Sequence, residues 1–261
     1  MRLITVLICL FLFSPLDSYA QANSSTWSTR KSDHFIVYYQ SAPLEYVDQV
    51  LRRAEGYYNS ITDDLGFTRF QDFWTWDKRT KMYFYNNRAD YQKYSKQPEW
   101  SAAGTNIISR EVYSFVNMDN FFDVILPHEL GHIIFREFIG FERRLPLWLD
   151  EGIVSYLEKQ FRAERLLIAQ RLVDTKSFMP LDELVLQKKG SILMPEIFYA
   201  ESASIIEFLV HKEGKEKFLE FCRHLRQLRR DQQWTDALYD VYGFRSLSEM
   251  DVKWQEFLRT R

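Results

Sequence analysis

Residues 128–132 read His-Glu-Leu-Gly-His. Positions four apart share one face of a helix, so His128 and His132 can offer two imidazole nitrogens to a single ion. Glu129 stands beside them. It can take a proton from a water at that ion without binding the ion itself. The chemistry this permits is hydrolysis by a metal-activated water. Ile133, Ile134 and Phe135 suit the buried side of such a helix. Pro127 lacks an N–H and is tolerated only near a helix start; with Asp123 or Asn120 as N-cap it falls in or near the first turn. The competing account is an ordinary core helix whose histidines satisfy local hydrogen bonds.

A catalytic zinc takes three protein ligands and keeps one position open. Downstream runs Leu147-Trp148-Leu149-Asp150-Glu151-Gly152, with eighteen residues between His132 and Glu151. The two motifs at this spacing resemble those of the gluzincin metallopeptidases, in the aminopeptidase-N-like arrangement. That resemblance implies Zn2+ as cofactor, held by His128, His132 and Glu151, the last from a second helix. It also implies Glu129 as general base and a peptide or protein as substrate. Within that group the chain is most similar to the compact peptidase-MA-like domains of exported bacterial proteins. The similarity covers roughly residues 33–258. It rests on His34-Phe35, Gly104, both metal motifs, Tyr199-Ala200-Glu201-Ser202-Ala203, Tyr242-Gly243-Phe244 and Trp254.

The same resemblance makes Tyr199 a donor to the tetrahedral intermediate, with His211 as the alternative. A packing role for Tyr199 is equally open. Gly104 to Ile108 is expected either as a substrate-pairing edge strand or as a plain bulge. Asp150 and Ser155 are open between orienting a ligand imidazole and no role at the site. One departure stands out: no Gly-x-Met-Glu-Asn segment, the grip on a free N-terminus in the related aminopeptidases, lies upstream of His128. An endopeptidase, or a peptidase of very narrow specificity, therefore fits better than an exopeptidase. Two other functions compete: a non-catalytic binding module with zinc as a structural pin, which has no need of Glu129, and a zinc hydrolase of a non-peptide bond.

The elements that must position these residues follow from periodicity. His34–Tyr39 reads as a strand, Leu44–Leu65 as a helix with Val47, Val50, Leu51 and Ala54 on one side, Lys81–Tyr85 as a strand, and Arg88–Tyr94 as a short helix. Asn106–Ser109 and Val112–Phe115 read as two strands. Helices are expected at 121–138, 147–162, 166–174, 200–211, 215–229 and 251–258, with an irregular stretch over 176–195. The fold class is α+β and zincin-like: one domain over 33–261, made of a small mixed-sheet lobe with helices (33–117) and a mostly helical lobe (118–261).

Met1-Arg2, the apolar run Leu3–Phe13 and small residues up to Ala20 read as a signal peptide, 1–20, followed by a polar flexible lead, 21–32. An uncleaved anchor is the alternative, though the run is short for a bilayer. The expectation is an exported protein, periplasmic or secreted, with no stable membrane span once the signal is removed. Cys9 lies in the signal and Cys222 stands alone beyond it, so no internal disulfide is available. A net charge of -2 gives no reason to expect nucleic acid as a partner. The cluster Arg223, Arg226, Arg229 and Arg230 reads as a solvated face or as a contact for anionic envelope components.

Overall fold

The structure, a computed structural model, describes residues 27–65, 78–95, 103–188, 190 and 192–261. The expected signal peptide and most of the polar lead lie outside the described residues. The described chain forms two compact units, one of residues 27–60, 78–95 and 103–133, the other of 61–65 and 134–261.

The first unit is built on a five-stranded mixed sheet: β1 (Ser28–Lys31), β2 (Phe35–Tyr39), β3 (Thr80–Tyr85), β4 (Gly104–Asn106) and β5 (Glu111–Phe115), in the order β1-β2-β3-β5-β4. The inner pairs β2/β3 and β3/β5 are parallel, and the outer pairs are antiparallel. Alternation sorts the two faces. Phe35, Val37, Met82, Phe84 and Val112 are buried, as are Val47, Val50, Leu51 and Ala54 of α1 (Leu44–Leu65). Tyr46 of that helix meets Phe84 edge-on at 5.6 Å. On the other face, Tyr38, Tyr83 and Tyr113 stack in register across three strands, at 4.7 and 5.2 Å. The helix α2 (Arg88–Ser95) follows β3.

Two strand expectations change. Ser28–Lys31, read from sequence as flexible lead, is a strand hydrogen-bonded to β2. All four of its residues are exposed, so no hydrophobic alternation announces it; backbone pairing and the packing of Trp27 on Tyr83 and Tyr85 are what hold it. The strand expected at Asn106–Ser109 instead covers Gly104–Asn106. Ile107–Arg110 forms the turn into β5: the Arg110 N–H donates to the Ile107 carbonyl at 3.2 Å, and Arg110 sits at φ 54°.

The helix expected over 121–138 is two pieces. Phe121–Ile125 is a π-helical turn, and α3 (Leu126–Ile139) continues from it. Asn120 holds the N-cap position of the π turn through its backbone, at φ 58° and with no side-chain capping bond; its carbonyl accepts from the N–H groups of Val124 and Ile125 at 3.0 and 3.3 Å, while Asp123 pairs with Arg53. Pro127, second in α3, has no N–H for the carbonyl of Phe122 five residues back, and the Tyr57 hydroxyl donates to that carbonyl at 2.8 Å.

The second unit is helical: α4 (Leu147–Leu157), α5 (Lys159–Asp174), α6 (Leu181–Leu184), α7 (Pro195–Glu213), α8 (Lys215–Gln227), α9 (Trp234–Tyr242) and α10 (Leu247–Arg259), with the end of α3. The helix expected at 147–162 breaks at Glu158, where ψ is 74°. Arginines of α5 satisfy the carbonyls left open at the end of α4: Arg162 donates to Tyr156 at 2.9 and 3.1 Å, and Arg165 to Ser155 at 2.6 Å. The stretch 176–195 contains α6, and α7 begins five residues earlier than expected, with Pro195 in its first turn. The segment Trp234–Tyr242, assigned no element from sequence, is α9. It is closed by a capping box between Gln233 and Asp236 and by Gly243 at φ 70°.

Candidate metal centre

α3 and α4 carry the two motifs on buried surfaces. His128 is 3% exposed, Glu151 1%, and Glu129 and His132 are fully buried. One ligand atom from each of His128, His132 and Glu151 lies within 4.8 Å of the others, and they form the only such group among the described residues. The two Nε2 atoms are 3.2 Å apart. Two nitrogens at about 2.0–2.1 Å from one tetrahedral ion lie about 3.3 Å apart, so the imidazole pair has the spacing of two ligands on one metal. Two imidazoles and a carboxylate from three protein residues also match the donor set of a centre with an open fourth position. The residues fit the ion.

Glu129 adds an independent sign. Both of its carboxylate oxygens are buried and lack a hydrogen-bond partner among the described residues. A carboxylate in that state costs several kcal/mol unless a cation or a water compensates it. Its charge is thus left for a cation or a water to compensate.

Two features set where α4 places Glu151. Gly152 lies against α7 so closely that a Cβ there would stand 2.7 Å from the Ser202 carbonyl oxygen; the residue after Glu151 must be glycine for this approach. Asp150, the residue before it, accepts two hydrogen bonds from Arg136 of α3, at 3.1 Å from Nε and 2.8 Å from Nη2. The pair is nearly buried, at 12% and 9% side-chain exposure. Arg136 also donates through Nη1 to the Arg143 carbonyl at 2.6 Å. Arg136 escaped the sequence analysis. Its signal was its position, one helical turn past His132, with an acid beside Glu151 as the matching charge. Asp150 is therefore bound into an inter-helix pair. Ser155, one turn past Glu151 on α4, is fully buried, with its hydroxyl unpartnered among the described residues.

The remaining expectations resolve unevenly. Tyr199 lies within α7, not ahead of it. It is half-buried, with its ring edge-on to Phe198 at 5.5 Å. His211, the alternative donor, is engaged elsewhere: its Nε2 is 2.8 Å from Glu207, and its ring lies by Phe257. Gly104–Asn106 occupies the end position of the described sheet, antiparallel to β5. His34 is structural: Glu55 accepts from its backbone N–H at 2.9 Å and contacts its Nδ1 at 2.6 Å, while Tyr58 stacks on the ring at 3.8 Å.

An α+β chain that gathers two histidines of one helix and a glutamate of another at a buried point has the arrangement of the metal-dependent peptidases. The chain belongs to the Peptidase MA superfamily, whose family model matches residues 75–260. Membership implies a peptidase, with peptide or protein as substrate. No curated protein matches the chain. Among the described residues no helix is long and apolar enough to cross a membrane.

Proposed function

We propose that the protein is an exported zinc-dependent endopeptidase. The observation that carries this function is the buried His128–His132–Glu151 group with an unpartnered Glu129 carboxylate beside its first ligand. His128, His132 and Glu151 would hold the zinc. When bound, zinc supplies Lewis-acid chemistry, polarising the scissile carbonyl and making water acidic enough to act at neutral pH. Glu129 takes the proton of the attacking water and returns it to the departing amine. Tyr199 donates its hydroxyl to the oxygen that gains negative charge. β4, the end strand of the described sheet, would offer backbone groups to an extended substrate, which favours cleavage within a chain. Export is supported by the apolar run Leu3–Phe13 ahead of small residues.

The test combines elemental analysis with cleavage of an unstructured protein. Wild type is expected to hold about one zinc per chain and to cleave, and Glu129→Gln to hold the same zinc and lose cleavage. If neither protein binds zinc, the ligand assignment fails. If both bind it and neither cleaves any of a broad set of peptides, the hydrolytic function fails.

A further inference from the structure

The helical unit contains a cleft of about 910 Å3 that the metal chemistry does not use. It lies where the 140–145 loop, following α3, meets the segment from the end of α8 to the start of α9. Five arginines line it, at 143, 144, 226, 229 and 230, against one acid, Glu142. The lining thus carries a formal charge of +4 in a chain whose net charge is -2.

Part of this charge has a structural use. Arg143 holds the two segments together, donating to the carbonyls of Arg226 and Leu228 at the end of α8. Arg226 lies over the Phe138 ring at 5.4 Å. Cations at helix C-termini are favourable in any case. Arg144, Arg229 and Arg230 are not explained this way. All three are exposed, and the pair Arg229–Asp231, at 3.4 Å with both side chains about three-quarters exposed, contributes little. Guanidinium groups crowded on one cleft repel one another, and their planar forks match carboxylate or phosphate oxygens.

The rest of the lining decides between anions. Phe141, Leu145 and Trp234 give the cleft apolar and aromatic surface, and Trp234 is backed by the buried Trp148 of the Glu151 motif at 5.6 Å. A simple phosphate would leave that surface unused. An acidic peptide carrying an apolar side chain would use both parts, which is how specific interfaces combine an aromatic anchor with a charged rim.

We propose that this cleft binds an acidic peptide segment with an apolar anchor and so serves as a docking site that selects acidic substrates; its meaning as substrate selection rests on the peptidase function above. Binding is measured on the full chain carrying Glu129→Gln, so that no turnover is involved. The probe is a labelled peptide of glutamates interspersed with phenylalanine, and its counterpart has glutamine at every glutamate. The acidic peptide is expected to bind at least about tenfold more tightly than the neutral one, and less tightly as salt is raised. Arg144→Glu with Arg230→Glu is expected to abolish that preference while zinc content and melting temperature stay unchanged. Equal binding of the two peptides, or full acidic-peptide affinity in the double variant, overturns the proposal. So does binding of phosphatidylglycerol vesicles or inorganic phosphate in place of the peptide. Failure of wild type to cleave anything would sink the peptidase function alone, because this binding measurement does not depend on cleavage.

Discussion

Tyr199 and Glu129 occupy different environments, and their substitutions should read out differently. Glu129 is fully buried with both carboxylate oxygens unpartnered among the described residues, next in sequence to His128. Tyr199 is half-buried, with an aromatic neighbour that would hold its ring with or without the hydroxyl. Tyr199→Phe is expected to keep that packing and the zinc while lowering kcat by on the order of a hundredfold, the usual effect of removing one oxyanion donor; a kcat within about twofold of wild type would make Tyr199 a packing residue. Metal removal has its own signature. Chelation should lower the melting temperature by several degrees, and added zinc should restore it, because a ligand that binds only the folded state stabilises it. A melting temperature indifferent to chelator would show that the ligand group is not a tight metal site.

At the scale of elements, α4 is placed by its neighbours. Gly152→Ala introduces a Cβ 2.7 Å from a backbone carbonyl oxygen of α7, which can yield only by moving a helix, so a loss of about 1–3 kcal/mol is expected in denaturant unfolding. Asp150→Ala strands the Arg136 guanidinium in a nearly buried position and should cost about 3–5 kcal/mol. Arg136→Lys keeps the charge but loses the two-pronged bond, so it should lie between that variant and wild type. The elements also show what the sequence made legible. His128 and His132 could be placed because helix periodicity is a local property, Glu151 because its motif resembles the second motif of the gluzincins, and α1 because its apolar stripe repeats over many turns. β1 could not, because its four residues face solvent and pairing with β2 is its reason for being extended. The π turn ahead of α3 was hidden for a similar reason: the carbonyl of its Phe122 is met by a hydroxyl from Tyr57, distant in sequence. α9 carries local signals in Gln233, Asp236 and Gly243, but at nine residues its apolar pattern repeats over too few turns to stand out.

At the scale of the whole molecule, Glu201 is one group through which pH acts on stability. Burial raises its pKa to about 8, against a smaller opposing effect from the Met179 amide that donates to it at 2.8 Å. The folded state therefore keeps the carboxyl protonated where the unfolded chain, near 4.5, has released the proton. Stability from this group is complete below pH about 4.5 and is lost as pH rises toward about 8, by up to about 1.4 kcal/mol per pH unit. Glu201→Gln should flatten that slope and melt higher than wild type at pH 8; equal pH dependence of the two proteins would remove Glu201 as its source.

The family match begins at residue 75, within the span between β2 and β3. A fragment cut there would discard β1, β2 and α1 and turn β3, an interior strand carrying Met82 and Phe84, into an unguarded border. Such a border recruits other chains. The stretch that the family model matches is thus smaller than the sheet β3 belongs to, and material prepared from 75–261 should clump instead of staying in solution as single molecules.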